Sequence, residues 1–183
     1  MVHHATNQLM GFTEAFYIFV FGDLQWDESE SNFAHEAWGQ FEGDFKSKKY
    51  KTAIGVGDYM DFTRPTMRNK LLAALSGDDS TRHQIDKMVK SSQDKLLKKM
   101  SFLDGYLTGI HNGHHCHEFA DGSNSDMRVA SAFRTQYLGW IASTRFRIFR
   151  DIPSRKKRDD SDFTVTMVST HGDGAARSAP TDF

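Results

Sequence analysis

One cysteine, Cys116, in 183 residues leaves no internal disulfide to hold the chain together. That fits a reducing compartment and makes the cytoplasm the expected location. Proline is scarce too, with three against 15 phenylalanines, which excludes a disordered, proline-rich chain and calls for a packed core. Charge of one sign is missing: 23 Lys and Arg stand against 24 Asp and Glu, a formal net charge of −1. The molecule lacks the basic field that draws proteins to nucleic-acid backbones or anionic membranes, so phosphate recognition must be local. The longest apolar run, Phe16 to Phe21, is far shorter than the roughly 20 residues a bilayer-spanning helix needs. Met1 to Thr13 has no basic segment leading into a long apolar stretch, so no secretory signal is indicated, and His3 and His4 read as a solvated end. One domain is expected over 14–176, with 1–13 and 177–183 as tails.

What is present is a series of short apolar runs, each followed by polar chemistry. Phe16 to Phe21 reads as a strand buried on both faces that stops at Gly22-Asp23. Phe33, Ala37, Trp38 and Phe41 have helical spacing. Lys51 to Gly57 is a second strand, again ending in Gly-Asp at Asp58. Met67, Leu71, Leu72 and Leu75 share one helical face, and Ile85, Met88, Val89, Leu96, Leu97 and Met100 share another. Tyr106 to Ile110 predicts a third strand, running into the loop Asn112-Gly-His-His-Cys-His-Glu118. A short helix is expected over Ser125 to Phe133. Thr144 to Arg150 and Phe163 to Ser169 alternate as half-buried strands do, joined by a charged hairpin loop over 151–162. Within that loop Arg155-Lys-Lys-Arg158 is cancelled by Asp159, Asp160 and Asp162, and reads as a solvated face. Trp26, Trp38 and Trp140 read as core packing.

Four strand ends thus deliver Asp23, Asp58, His114-His115 and His171, in that order. Open α/β sheets collect ligands at the carboxyl ends of their strands. Two divalent metals about 3.5–4 Å apart need a bridging carboxylate, several nitrogen or oxygen ligands and open positions for water and substrate. Carboxylates and imidazoles from separate strand ends meet that need. A separate zinc site within the His-rich loop is the rival reading, but adjacent His114, His115, Cys116 and His117 cannot all face one ion.

Gly22-Asp23-Leu24-Gln25, Gly57-Asp58-Tyr59-Met60-Asp61, Gly113-His114-His115 and Ser169-Thr170-His171-Gly172 together resemble the calcineurin-like metallophosphoesterases. The ordered motifs of that family are Asp-x-His, Gly-Asp-x-x-Asp, Gly-Asn-His, a lone His and Gly-His-x-His. The stretch from His115 to Gly172, with Phe119-Ala-Asp-Gly122 and Tyr137-Leu-Gly139, is similar to phage and bacterial members. The resemblance implies an α/β fold: a sandwich of two mixed β-sheets flanked by helices, αββα. It further implies two divalent metal ions (manganese, iron, zinc or nickel), held by Asp23, Gln25, Asp58, His114 and His171. Asp58 would bridge them, His115 would be the catalytic histidine facing the leaving oxygen, and Asp61 would orient a ligand or a neighbouring loop. The implied reaction is hydrolysis of a phosphomonoester or phosphodiester, nucleotide or nucleic acid included, by a metal-activated hydroxide, with no membrane partner.

Three positions depart from the family pattern. Gln25 replaces a histidine ligand, and a carboxamide offers only a neutral oxygen. His114 replaces an asparagine that ligates through its side-chain oxygen. Nothing after His171 corresponds to Gly-His-x-His, so the chain is expected to be incomplete at its carboxyl end. The alternative function is a non-catalytic remnant that keeps the fold.

Overall fold

The computed structural model describes residues 2–9, 15–27, 29–30, 32–61, 79–148 and 163–172. The helical face expected from Met67 to Leu75, the charged loop 151–162 and the tail 177–183 lie outside them.

Four short strands form one sheet: β2 (Tyr17–Phe21), β3 (Lys51–Gly55), β4 (Leu107–His111) and β5 (Gln136–Gly139), in that spatial order. Every neighbouring pair is parallel, so this sheet is not mixed, as expected from the resemblance, but parallel throughout. Parallel neighbours need crossovers, and helices supply them. α1 (His35–Ser47) joins β2 to β3, α2 (Asp79–Lys99) precedes β4, and α3 (Ser125–Ala132) joins β4 to β5. A 3₁₀ turn, Ser101–Leu103, closes α2. Asn124 caps α3, its side chain accepting the Met127 N–H at 2.8 Å.

A second sheet has the order β1 (Val2–Leu9), β6 (Ile141–Ile148), β7 (Phe163–Thr170). β1 runs parallel to β6, and β7 antiparallel. The amino-terminal segment read as a solvated tail is therefore a strand. Its sequence, VHHATNQL, has no apolar alternation to signal this, because the pairing is made by backbone groups.

Two cores separate three layers. The larger lies between the parallel sheet and the helices, where Phe21, Ala53 and Ile110 meet Trp38, Phe45, Ile85, Val89, Leu96 and Val129. Aromatic edges account for much of this contact: Phe19 meets Phe45 at a centroid distance of 5.1 Å and Phe21 meets Trp38 at 5.9 Å. The smaller core lies between the sheets, where Ile54 and Leu138 meet Ala142, flanked by Ile18 and Met167. Among the described residues no helix covers the outer face of the second sheet.

β2 departs from expectation in one respect. Its apolar run suggested burial on both faces, yet it is the edge of its sheet, and Val20 keeps 55% of its surface exposed. Periodicity reports which faces are apolar, not whether a strand has a neighbour on each side. β5 went unread because four residues are too short to show a period.

Candidate metal centre

The centre forms where β3, β4 and β7 end. After Gly55 the chain turns through Gly57 and Asp58, with φ of 106° and 54°. A non-glycine residue at such an angle is uncommon and must be held by its surroundings. Tyr59 helps to hold it: its buried hydroxyl accepts the Gly57 N–H at 2.9 Å. Burial, and next the negative charge of Asp126, push the Tyr59 phenol well above its ordinary pKa, so it stays protonated. On the β4 side Gly113 presses against Asp58 so closely that a Cβ there would collide with the Asp58 backbone nitrogen and carboxylate.

The Asp58 carboxylate is buried and approached from two elements. Oδ1 accepts the His115 N–H at 3.1 Å, and Oδ2 lies 3.2 Å from His171 Nε2. His171 Nδ1 lies 2.6 Å from the Val56 carbonyl oxygen. A carbonyl can only accept, so Nδ1 carries the proton and donates. The ring's other nitrogen then turns a lone pair towards a carboxylate oxygen, which is repulsive unless a proton or a cation lies between them. A backbone carbonyl on the far nitrogen is also the usual way a metal-binding imidazole is oriented.

Asp58, His114 and His171 each offer one ligand atom, and the three atoms lie within 4.8 Å of one another. The Asp58 and His171 side chains are buried and His114 is exposed, so the group is open on the His114 side. One carboxylate and two imidazoles, one of them already oriented by a carbonyl, suit a divalent transition metal.

The β2 loop lies alongside through its backbone. The Asp23 N–H donates to Gly57 O at 3.0 Å and the Gln25 N–H donates to Asp58 O at 3.1 Å, both residues having positive φ. The Asp23 carboxylate is exposed and does not join the three-residue group. Instead Asp23 lines a pocket of about 180 Å³ walled by Phe21, Phe33, Trp38 and Phe41. His115 is partly exposed, with Nδ1 lacking a hydrogen bond and Asp61 Oδ1 at 3.6 Å. Asp61 Oδ2 in turn accepts from Asn32 Nδ2 at 3.3 Å.

Several residues that sequence motifs passed over hold this arrangement. Buried His111 donates from Nδ1 to Gly139 O at 2.9 Å, while its Nε2 lies 2.8 Å from Ser169 Oγ. It thereby ties β4 and β5 to the end of β7 that carries His171. Asn112 Oδ1 accepts from the Tyr137 hydroxyl at 2.7 Å and from Asn124 Nδ2 at 3.2 Å. Buried Asp126 accepts the Gly113 N–H at 2.7 Å, and desolvation, with Asp58 nearby, raises its pKa to about 6. For His111 and Asn112 the only sequence signal was their place between the end of β4 and Gly-His-His, and Asp126, in the first turn of α3, gave none.

The rest of the His-rich loop faces elsewhere. His117 Nε2 pairs with Asp86 Oδ1 at 2.8 Å, both buried. Burial opposes ionisation of Asp86, but the bonds from His117 and the Ala120 N–H outweigh it and hold the carboxyl below its usual range. Desolvation and then Asp126 raise the Cys116 thiol to about 11, so without a cation beside it Cys116 is a neutral thiol rather than a nucleophilic thiolate. Among the described residues no ligand group forms within this loop alone.

Trp140 was expected in the core and is not there. The single residue between β5 and β6, it is 46% exposed, with its ring 4.9 Å from His114 and 6.0 Å from His171, centroid to centroid. No protein-family model, curated protein or solved structure matches this chain.

Proposed function

We propose that the chain is a metal-dependent phosphoester hydrolase of the calcineurin-like metallophosphoesterase kind. The observation that carries this reading is the convergence of Asp58, His114 and His171 from three strand ends into one ligand group, with His171 already oriented by Val56. A helical layer on one face of the parallel sheet and a second sheet on the other supply three of the four layers of that family's αββα sandwich.

Divalent cations at such a centre neutralise phosphoryl oxygens and bring the pKa of a water towards neutrality. Two ions are proposed, and Asp58 is the carboxylate that would help to hold them. His114 and His171 would provide nitrogen ligands, whereas the Asp23 carboxylate lies outside their group, so a second ion would need Asp23 and Gln25 brought in from the adjoining loop. His115 acts on the leaving oxygen as a proton donor. Asp61 Oδ1 lies 3.6 Å from its Nδ1 and is the carboxylate that faces the ring. The substrate is a phosphomonoester or phosphodiester, and nucleotides fall within that class.

Asp58→Asn provides the test, with bound manganese measured by mass spectrometry and hydrolysis of p-nitrophenyl phosphate and its bis-ester measured in manganese buffer. Metal content should fall and turnover should drop about 100-fold or more, since even supporting residues at metal sites cost 10- to 100-fold. Wild-type protein without bound metal would sink the proposal. Metal without turnover would support the second reading, a non-catalytic fold remnant, which the exposed Asp23 carboxylate and Gln25 favour.

A further inference from the structure

Trp140 is placed by the same contacts that build the metal centre. Its carbonyl accepts the His171 N–H at 3.3 Å, and its ring lies beside the exposed imidazole of His114, tilted at 54°. The other two tryptophans, Trp26 and Trp38, are 2% and 5% exposed and serve the core. An exposed indole is not unusual in itself. An indole held against two ligand candidates, on the open side of their group, presents a flat apolar surface at the mouth of a site that takes phosphate.

We propose that Trp140, with His114 beside it, is the platform on which the base of a nucleoside phosphoester stacks. This rests on the phosphoester reading above and names its substrate class. A phosphate at His114 and His171 would leave the rest of the ester within one sugar's reach of the indole face. Every nucleobase has a π face that such a ring accepts, without needing base-specific hydrogen bonds. The net charge of −1 provides no field for a long polyanion. The balance of charge therefore favours a mononucleotide unit, free or at a strand end, over an extended strand lying across the surface.

The test uses the full chain in manganese buffer and compares adenosine monophosphate with ribose 5-phosphate, which differ in the base. Binding is followed by calorimetry and by tryptophan fluorescence, whose accessible fraction comes from Trp140. Wild type should bind the nucleotide about 5- to 150-fold more tightly than the sugar phosphate, as expected for one stacked base, with quenching of the emission. In Trp140→Ala the two affinities should converge, and Trp140→Phe should recover most of the preference. Since Trp140 is outside both cores, neither change opens a cavity. Equal affinities in wild type, no nucleotide binding, or a preference that survives in Trp140→Ala would each overturn the platform.

A manganese titration without ligand separates the two readings. Manganese bound without base preference removes the platform alone, whereas no manganese bound removes the phosphoester reading itself. A short oligonucleotide with a 5′-phosphate distinguishes the sources: equal affinity with the mononucleotide places the unit at a strand end. Weaker binding of the oligonucleotide identifies the free mononucleotide.

Discussion

The chemistry of the centre depends on which atom carries which proton. The Val56 carbonyl dictates a proton on His171 Nδ1, so Nε2 and Asp58 Oδ2, 3.2 Å apart, need a positive charge between them. His115 differs, since its Nδ1 faces Asp61 across 3.6 Å, too far for a hydrogen bond in the resting state. If it acts on the leaving oxygen, His115→Gln should lower kcat by about 10²- to 10⁴-fold, the usual contribution of a general acid. Bound manganese should stay at the wild-type level; parallel losses of metal and kcat would instead make His115 a ligand. Asp126 makes a prediction in pH. Its carboxyl rises from 3.8 to about 6 on folding, so the native state holds more protons than the unfolded chain between those values. The stability this group contributes is complete below about pH 4 and is lost as pH rises through about 6. Asp126→Asn keeps an acceptor for the Gly113 N–H but cannot ionise. In metal-free buffer its stability relative to wild type should improve by roughly 2 kcal/mol from pH 4 to pH 7. A difference in Tm that stays flat across that range would exclude the effect.

At the scale of elements, the strand-end loops are the constrained parts and the helices the tolerant ones. Gly113 has no room for a Cβ because Asp58 fills the space. Gly113→Ala should destabilise the protein by about 1–3 kcal/mol, as overpacking does, and weaken manganese binding through the shifted Asp58. Gly39, midway along α1, has nothing within 4 Å of the position a Cβ would take. Gly39→Ala should therefore stabilise by roughly 0.5–1 kcal/mol through helix propensity and leave metal binding alone. Urea denaturation and manganese calorimetry on the two variants check both statements. Similar effects at both positions would mean that the close approach at Gly113 is not what sets the site.

The whole molecule joins a large core to a small one. β3 and β4 are buried between the helices and the second sheet, whereas β7 is exposed over most of its described length, and the core between the sheets rests on Ile54, Leu138 and Ala142. Local opening follows the density of buried apolar contact. Amide hydrogens of β3 and β4 should exchange substantially more slowly than those of β6 and β7 in native-state hydrogen exchange. Manganese should slow β7 in particular, because His171 ends that strand and the centre also draws on β3 and β4. Uniform exchange across both sheets would show that the molecule opens as one unit.

Sequence alone determined the elements with strong periods and the residues that end them. The Phe16–Phe21 and Lys51–Gly57 runs, the helix through Ile85, Val89 and Leu96, and the alternating Phe163 to Ser169 segment all form, because side-chain burial writes its period directly into the chain. The ligand candidates Asp58, His114 and His171 were legible for a related reason: short apolar runs end at a site face, and polar residues follow them. Tertiary structure alone decided the rest. It paired the polar β1 with β6, placed β2 at an edge, moved Trp140 from the core to the rim, and left the Asp23 carboxylate outside the ligand group. Buried His111, Asn112 and Asp126 hold the centre through hydrogen bonds to residues 13 to 58 positions away. None of these follows from periodicity, because backbone pairing, sheet order and a hydrogen bond across 58 residues of chain leave no repeat in the local sequence.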